Sequence, residues 1–262
     1  MFDLLQALLD QFETRLLATA LVFVRLGAAV GLMPGFGEIF LPMRVKLAAV
    51  LALTAVVAPA VDTGGVPAAV DLPRFAALVL TETGIGLLIG LAARLLVHAL
   101  QLAGSIAGQA TALAQMAGPG LAPDPMPAMS NGLTMAGLAL AMAAGLHVKI
   151  AAGVIASYGV LGIGAALPGA DVGAWGLRHA VAGFALGFTL AAPFVIAALL
   201  YNLALGAINR AMPQLMVAFI GAPVITGGTL ALFLLAAPVM LGVWSGRLDA
   251  VLANPFTSGL PR

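Results

Sequence analysis

The chain has 262 residues, 62% of them hydrophobic and 8% charged, with a mean hydropathy of +1.13. A soluble domain carries about 25% charged residues, so a water-soluble enzyme is excluded. Net charge is +1 with the basic residues scattered, which leaves no electrostatic footprint for nucleic acid, and the lack of cysteine removes disulfides, thiolate metal sites and cysteine nucleophiles.

Asp3, Asp10 and Glu13 precede the first apolar run, where a signal peptide would place Lys or Arg, so no ordinary signal peptide is expected. Six long apolar stretches follow in chain order. The first runs from about Leu16 to Met33 and stops at Pro34-Gly35-Phe36-Gly37, and the second runs from about Met43 to Val61 and stops at Asp62-Thr63-Gly64-Gly65. The third begins after Pro73 and meets no proline until Pro119; the fourth runs from near Asn131 to Leu167. The fifth spans roughly Trp175 to Met212 with an interruption at Pro193, and the sixth runs from Pro213 to about Val251 with interruptions at Pro223 and Pro238. Apolar and small residues occupy every face of these stretches, as lipid-facing or buried helices require. The expected fold is all-α and membrane-integral, with strands excluded by the dominance of Ala, Leu and Gly and by the lack of ten-residue alternation.

Length poses a problem for six plain spans. A single helix from Arg74 to Ala117 would extend about 66 Å at ~1.5 Å per residue, against a hydrocarbon core of roughly 30 Å. The third stretch is therefore expected to bend, break into a hairpin or leave the bilayer, and the fourth is also too long for one span.

Ionisable residues inside apolar helices are costly and need a polar interior or a partner. Arg25, Glu82, Arg94, His98, Lys149 and His179 are embedded or nearly so. No acid lies three or four positions from Arg25, Arg94 or Lys149, so each is expected to meet a backbone carbonyl, a neighbouring subunit or interfacial water rather than form a proton relay. Glycine pairs four apart, such as Gly86/Gly90 and Gly104/Gly108, favour close helix packing without marking one face.

The segment from Gln115 to Pro127 holds four prolines and two glycines in thirteen residues, which forbids helix. It is mostly apolar, and irregular backbone at membrane depth must be buried in protein or line a cavity. It reads either as a lid or plug with adaptable methionine contacts or as a solvent-exposed connector. No His-x-x-x-His, Ser-His-Asp set or Walker loop is present. A channel or assembly component, with energy supplied elsewhere, is the expectation.

Several motifs resemble the FliR family of flagellar biosynthetic proteins. Arg44-Val45-Lys46-Leu47 with Ala58-Pro59 is similar to the family's second helix. The run from Asn202 through Asn209-Arg210-Ala211-Met212-Pro213-Gln214 is similar to its fifth-to-sixth helix junction almost residue for residue. Ala103-Gly104 with Gly108 resembles the family's central motif, Asp124-Pro125 its Asp-Pro, and Arg25 an arginine of its first helix. Departures are Ser105 in place of a glutamate, Gly221-Ala222-Pro223 in place of Gly-Phe-Pro, Met216 in place of a polar residue, and Leu146-His147 in place of Gly-His.

The resemblance implies one export-gate membrane domain over residues 1–262: the R-type subunit of a type III protein export gate in the bacterial inner membrane, at the flagellar basal body. Its partners in that family are P-type and Q-type subunits, other export-apparatus membrane proteins, membrane lipid and unfolded substrates in transit. No catalytic, cofactor or metal residues are implied. The resemblance assigns a pore plug to Gln115, Met116, Gly118, Pro119, Gly120, Pro123, Asp124, Pro125 and Met126. Arg25, Arg44, Lys46, Asn202, Asn209, Arg210, Pro213 and Gln214 are expected to serve assembly through polar contacts between helices. Two alternatives stand beside it: the homologous gate subunit of a virulence injectisome, and a small-solute secondary transporter with broken helices at Pro193, Pro223 and Pro238.

Overall fold

The computed structural model describes residues 2–62, 71–110, 128–212 and 217–256. These residues form seven α-helices and no strand: α1 Phe2–Leu32, α2 Met43–Val57, α3 Leu72–Ala110, α4 Ala128–Ala143, α5 Leu146–Val160, α6 Gly169–Ala211 and α7 Val217–Ala253. A single 3₁₀ turn, Ala58–Ala60, extends α2. Five helical segments are long and apolar enough to cross a membrane, and the pair α4 and α5, bent by 73° at their junction, makes a sixth. An all-α integral membrane protein is the result.

Local sequence accounts for the helix ends. Pro34 and Gly35, the latter at φ 82°, stop α1, and Pro42 stands immediately before α2. The Asp71 carboxylate accepts from the Arg74 N–H at 3.3 Å and so caps the first turn of α3. Gly145 sits at φ 76° between α4 and α5, a conformation that costs glycine nothing and other residues about 1 kcal/mol or more. The fourth apolar stretch is thereby two helices rather than one.

The third stretch does not break into a hairpin among the described residues. Its 39 residues form the one helix α3, about 58 Å long at ~1.5 Å per residue. Pro193, read from sequence as an interruption, lies inside the 43-residue α6, and α7 runs through Pro238. Proline is tolerated in helices of this kind when neighbouring groups re-satisfy the freed carbonyl. The excess length is carried by helices longer than the bilayer is thick.

The chain divides into two compact units, residues 2–95, 141–180 and 247–256 in one, residues 96–140 and 181–246 in the other. In the first, α2 packs on α1 and α5, and the core is built from Leu21, Leu26, Val30, Ile85, Ile89, Ile150 and Val154. Gly86 and Gly90 of α3 lie so close to the main chain of α1 that an added Cβ would run into the carbonyl oxygens of Arg25 and Ala29. That glycine pair is the contact face of α3 with α1. Gly153 of α5 meets the Leu252 carbonyl of α7 in the same way.

In the second unit, Leu100, Leu133, Phe194 and Trp244 are fully buried. The Trp244 indole donates to the Leu96 carbonyl at 2.8 Å, which satisfies the one polar atom of a large apolar side chain. Gly104 abuts the backbone of Ser130, and the Ser130 hydroxyl donates to the Gln101 carbonyl at 3.0 Å. The Gly104 position thus joins α3 to α4.

Candidate functional site

Among the described residues, the most concentrated polar chemistry lies in the first unit, among α1, α3 and α5. Arg25 and Glu82 are both fully buried. Arg25 Nε donates to Glu82 Oε2 at 2.7 Å and Arg25 Nη2 to Glu82 Oε1 at 3.1 Å, a bidentate ion pair. The guanidinium also donates through Nη1 to Ser157 Oγ at 3.0 Å and through Nη2 to the Leu161 carbonyl at 3.0 Å. The Ser157 hydroxyl in turn donates to the Val154 carbonyl at 2.6 Å. Glu82 additionally accepts from the Tyr158 hydroxyl at 3.1 Å and from the Gly164 N–H at 3.1 Å. The Tyr158 ring lies 3.5 Å from the guanidinium carbon, so its π face adds to the stabilisation of the cation.

Each oxygen of Glu82 therefore accepts two hydrogen bonds, which fills the roughly four acceptor positions of a carboxylate. No lone pair is left for a transported proton or a ligand. Desolvating two charges costs several kcal/mol per ion, and full hydrogen bonding is what offsets it. This cluster is built to hold helices and main chain in place.

Two further pairs follow the same rule with more exposure. Arg94 of α3 reaches Glu38, in the α1–α2 connection, at 2.6 Å, and Lys149 of α5 reaches Asp249 of α7 at 2.6 Å. Each of the three embedded cations therefore meets a carboxylate distant in sequence, and Arg25 also meets the kind of backbone carbonyl expected from the local sequence. Glu82 had been visible as an embedded acid. An embedded arginine and an embedded glutamate in one apolar chain are themselves a signal for pairing. Ser157, Tyr158, Glu38 and Asp249 gave no such signal.

His179, also embedded, places Nδ1 3.0 Å from the Trp175 carbonyl, and the Trp175 indole donates to the Pro255 carbonyl at 3.0 Å. His98 pairs with Gln101 at 2.7 Å. Neither histidine stands in a group of three potential metal ligands among the described residues.

The other sequence-selected residues are dispersed. Arg44 is exposed and Lys46 half-buried in the first turn of α2. Asn202 and Arg210, both exposed, share one face of α6 and line a groove of about 560 Å³ with Leu203, Gly206, Ala207 and Ala211. Asn209 lies on the same helix. Pro213, Gln214 and the whole Gln115–Pro127 loop, including Met116, Gly118, Pro119, Gly120, Pro123, Asp124, Pro125 and Met126, lie outside the described residues.

Long apolar helices, a buried charge cluster whose carboxylate accepts four hydrogen bonds, and scattered surface polar groups define an integral membrane protein. The profile of the bacterial export proteins, family 1, matches residues 16–251. The flagellar biosynthetic protein FliR of Caulobacter vibrioides is 34% identical over 235 residues, covering 89% of this chain and 93% of that protein. The chain belongs to this FliR family of bacterial export proteins.

Proposed function

We infer that this chain is a subunit of the flagellar type III protein export gate. The observation that carries the reading is a family match over almost all of an all-helical, strongly apolar chain. In this reading the protein resides in the bacterial inner membrane at the flagellar basal body. It assembles with P-type and Q-type subunits as one gate domain and forms part of a pore for unfolded flagellar subunits. The chain is conduit and seal, and the energy for export comes from elsewhere.

The proline-rich loop from Gln115 to Pro127 is the proposed plug. A pore wide enough for polypeptide would dissipate an ion gradient, so a resting seal is required. Prolines reduce the entropy lost when the loop is ordered, and Met116 and Met126 offer contacts that can close around a chain and release it. Arg44, Lys46, Asn202, Asn209, Arg210 and Gln214 are proposed to serve assembly. Exposure of Asn202 and Arg210 together with the apolar Leu199, Leu200 and Leu203 supports that role.

One deletion strain tests the reading. Removal of the gene should abolish both swimming and secretion of rod and hook subunits, with the full chain restoring both. A chain lacking Gly118 to Pro123 should assemble but leave cells leaky to ions. Normal swimming after gene removal, with loss of secreted effectors, would instead assign the chain to an injectisome. An assembled loop deletion with unchanged membrane conductance would remove the plug assignment alone.

A further inference from the structure

The connection between α5 and α6 reads Leu161-Gly162-Ile163-Gly164-Ala165-Ala166-Leu167-Pro168 and carries no polar side chain. It lies between two helices of membrane-spanning character. Irregular backbone leaves main-chain N–H and C=O groups that no helix satisfies, and these need other partners. This segment cannot supply them from its own side chains. Two of its main-chain groups are met by the buried charges: the Leu161 carbonyl accepts from Arg25 at 3.0 Å, and the Gly164 N–H donates to Glu82 at 3.1 Å. Gly164 is held at φ 72°, so its N–H is aimed by a backbone conformation that side-chain-bearing residues rarely adopt.

We propose that Arg25 and Glu82 are positioning residues for the α5–α6 connection. Their ion pair serves as a two-sided main-chain clamp that fixes where α5 stops and how the chain leaves it. A simple interhelical ion pair needs only opposite charges. The observed arrangement needs more: a planar cation that reaches Glu82, Ser157 and the Leu161 carbonyl at once, and an acceptor-only group facing the Gly164 N–H. Lysine at position 25 can keep the charge pairing but cannot span all three acceptors. Exchanging the two charges places donors against the Gly164 N–H and acceptors against the Leu161 carbonyl. The two roles therefore predict opposite results for the same substitutions.

The chain contains no cysteine, so a single Ala165→Cys reports cleanly on the connection. Ala165 is half-buried. The full chain, expressed with the rest of its export apparatus, is labelled in native membranes with a maleimide in three backgrounds: parental, Arg25→Lys, and the exchange Arg25→Glu with Glu82→Arg. The clamp predicts labelling about tenfold or more faster in Arg25→Lys, the effect of losing a hydrogen bond to a charged donor, and no rescue by the exchange. Failure of the lysine variant to accumulate would also support the clamp, since a plain ion pair tolerates lysine. Parental labelling and abundance in Arg25→Lys, together with an exchange variant that behaves like the parent, would overturn it.

Discussion

Arg25 and Arg210 are the same residue type in two apolar helices, and their surroundings are opposite. Arg25 is fully buried and donates to three different side-chain or main-chain partners within its own chain. Arg210 is exposed in the last turn of α6, beside Asn202, and among the described residues no side-chain hydrogen bond reaches either. Leu203 lines the same groove as both, and Leu199, Leu200, Ile208 and Met212 of this helical segment are exposed as well. The first region is finished by folding. The second is left open by folding, with amide and guanidinium groups on the same exposed helix as large apolar side chains, and the proposed assembly role is what would finish it.

The largest expected effect breaks the comparison at its buried end. Arg25→Ala leaves Glu82 buried without a counter-charge, a loss of about 3–5 kcal/mol. That is a large part of the ~5–15 kcal/mol that holds a typical domain folded. The chain itself should disappear from membranes when its steady-state level is measured by immunoblot. Normal levels of an Arg25→Ala chain would mean that the cluster does not hold the first unit together.

A smaller effect, of a different kind, is expected at the exposed end. Arg210→Ala should leave the amount of chain unchanged and reduce the fraction recovered in a heteromeric complex after mild detergent extraction. The size is set by the partner groups left unpaired, about 1–3 kcal/mol. If chain level fell and the assembled fraction did not, the contrast between the two arginines would collapse.

The smallest effect belongs to the intermediate case. Lys149 and Asp249 approach to 2.6 Å but remain 31% and 48% exposed. Solvent screening and side-chain entropy reduce such pairs to about 0.5 kcal/mol or less. Lys149→Ala should therefore change neither chain level nor assembly in the same two measurements. A clear loss would show that this pair is shielded by something beyond the chain.

Sequence made the class of fold legible because apolar composition and helix length are properties of contiguous residues. Six stretches were readable, and the six membrane-length segments follow them. The break at Gly145 was hidden because one glycine in an Ala- and Leu-rich run looks like any other. Pro193 misled in the other direction, since its cost in a helix depends on neighbours that no local pattern records. The Arg25–Glu82 pair was signalled only by two embedded opposite charges, and its geometry was hidden for a related reason. Its members are 57 residues apart, and Ser157 lies 132 residues from Arg25. Only the near approach of α3 to α1 at Gly86 and Gly90 brings the carboxylate to the guanidinium. The groove face of α6 was more accessible, because Asn202 and Arg210 belong to one helix and their spacing alone puts them on one side.

The distance between Arg25 and its partners has a consequence in time. The chain is made from its N-terminus at roughly 5–20 residues per second. Glu82, 57 residues behind Arg25, therefore leaves the ribosome about 3–11 s later. During that interval α1 carries an arginine near the centre of its apolar part with no carboxylate to meet it, at an insertion cost of about 2.5–3.5 kcal/mol. The first helix is a poor anchor until the third arrives, and the clamp on the α5–α6 connection closes later still. Biogenesis of this protein begins with a debt of charge that only its later helices settle.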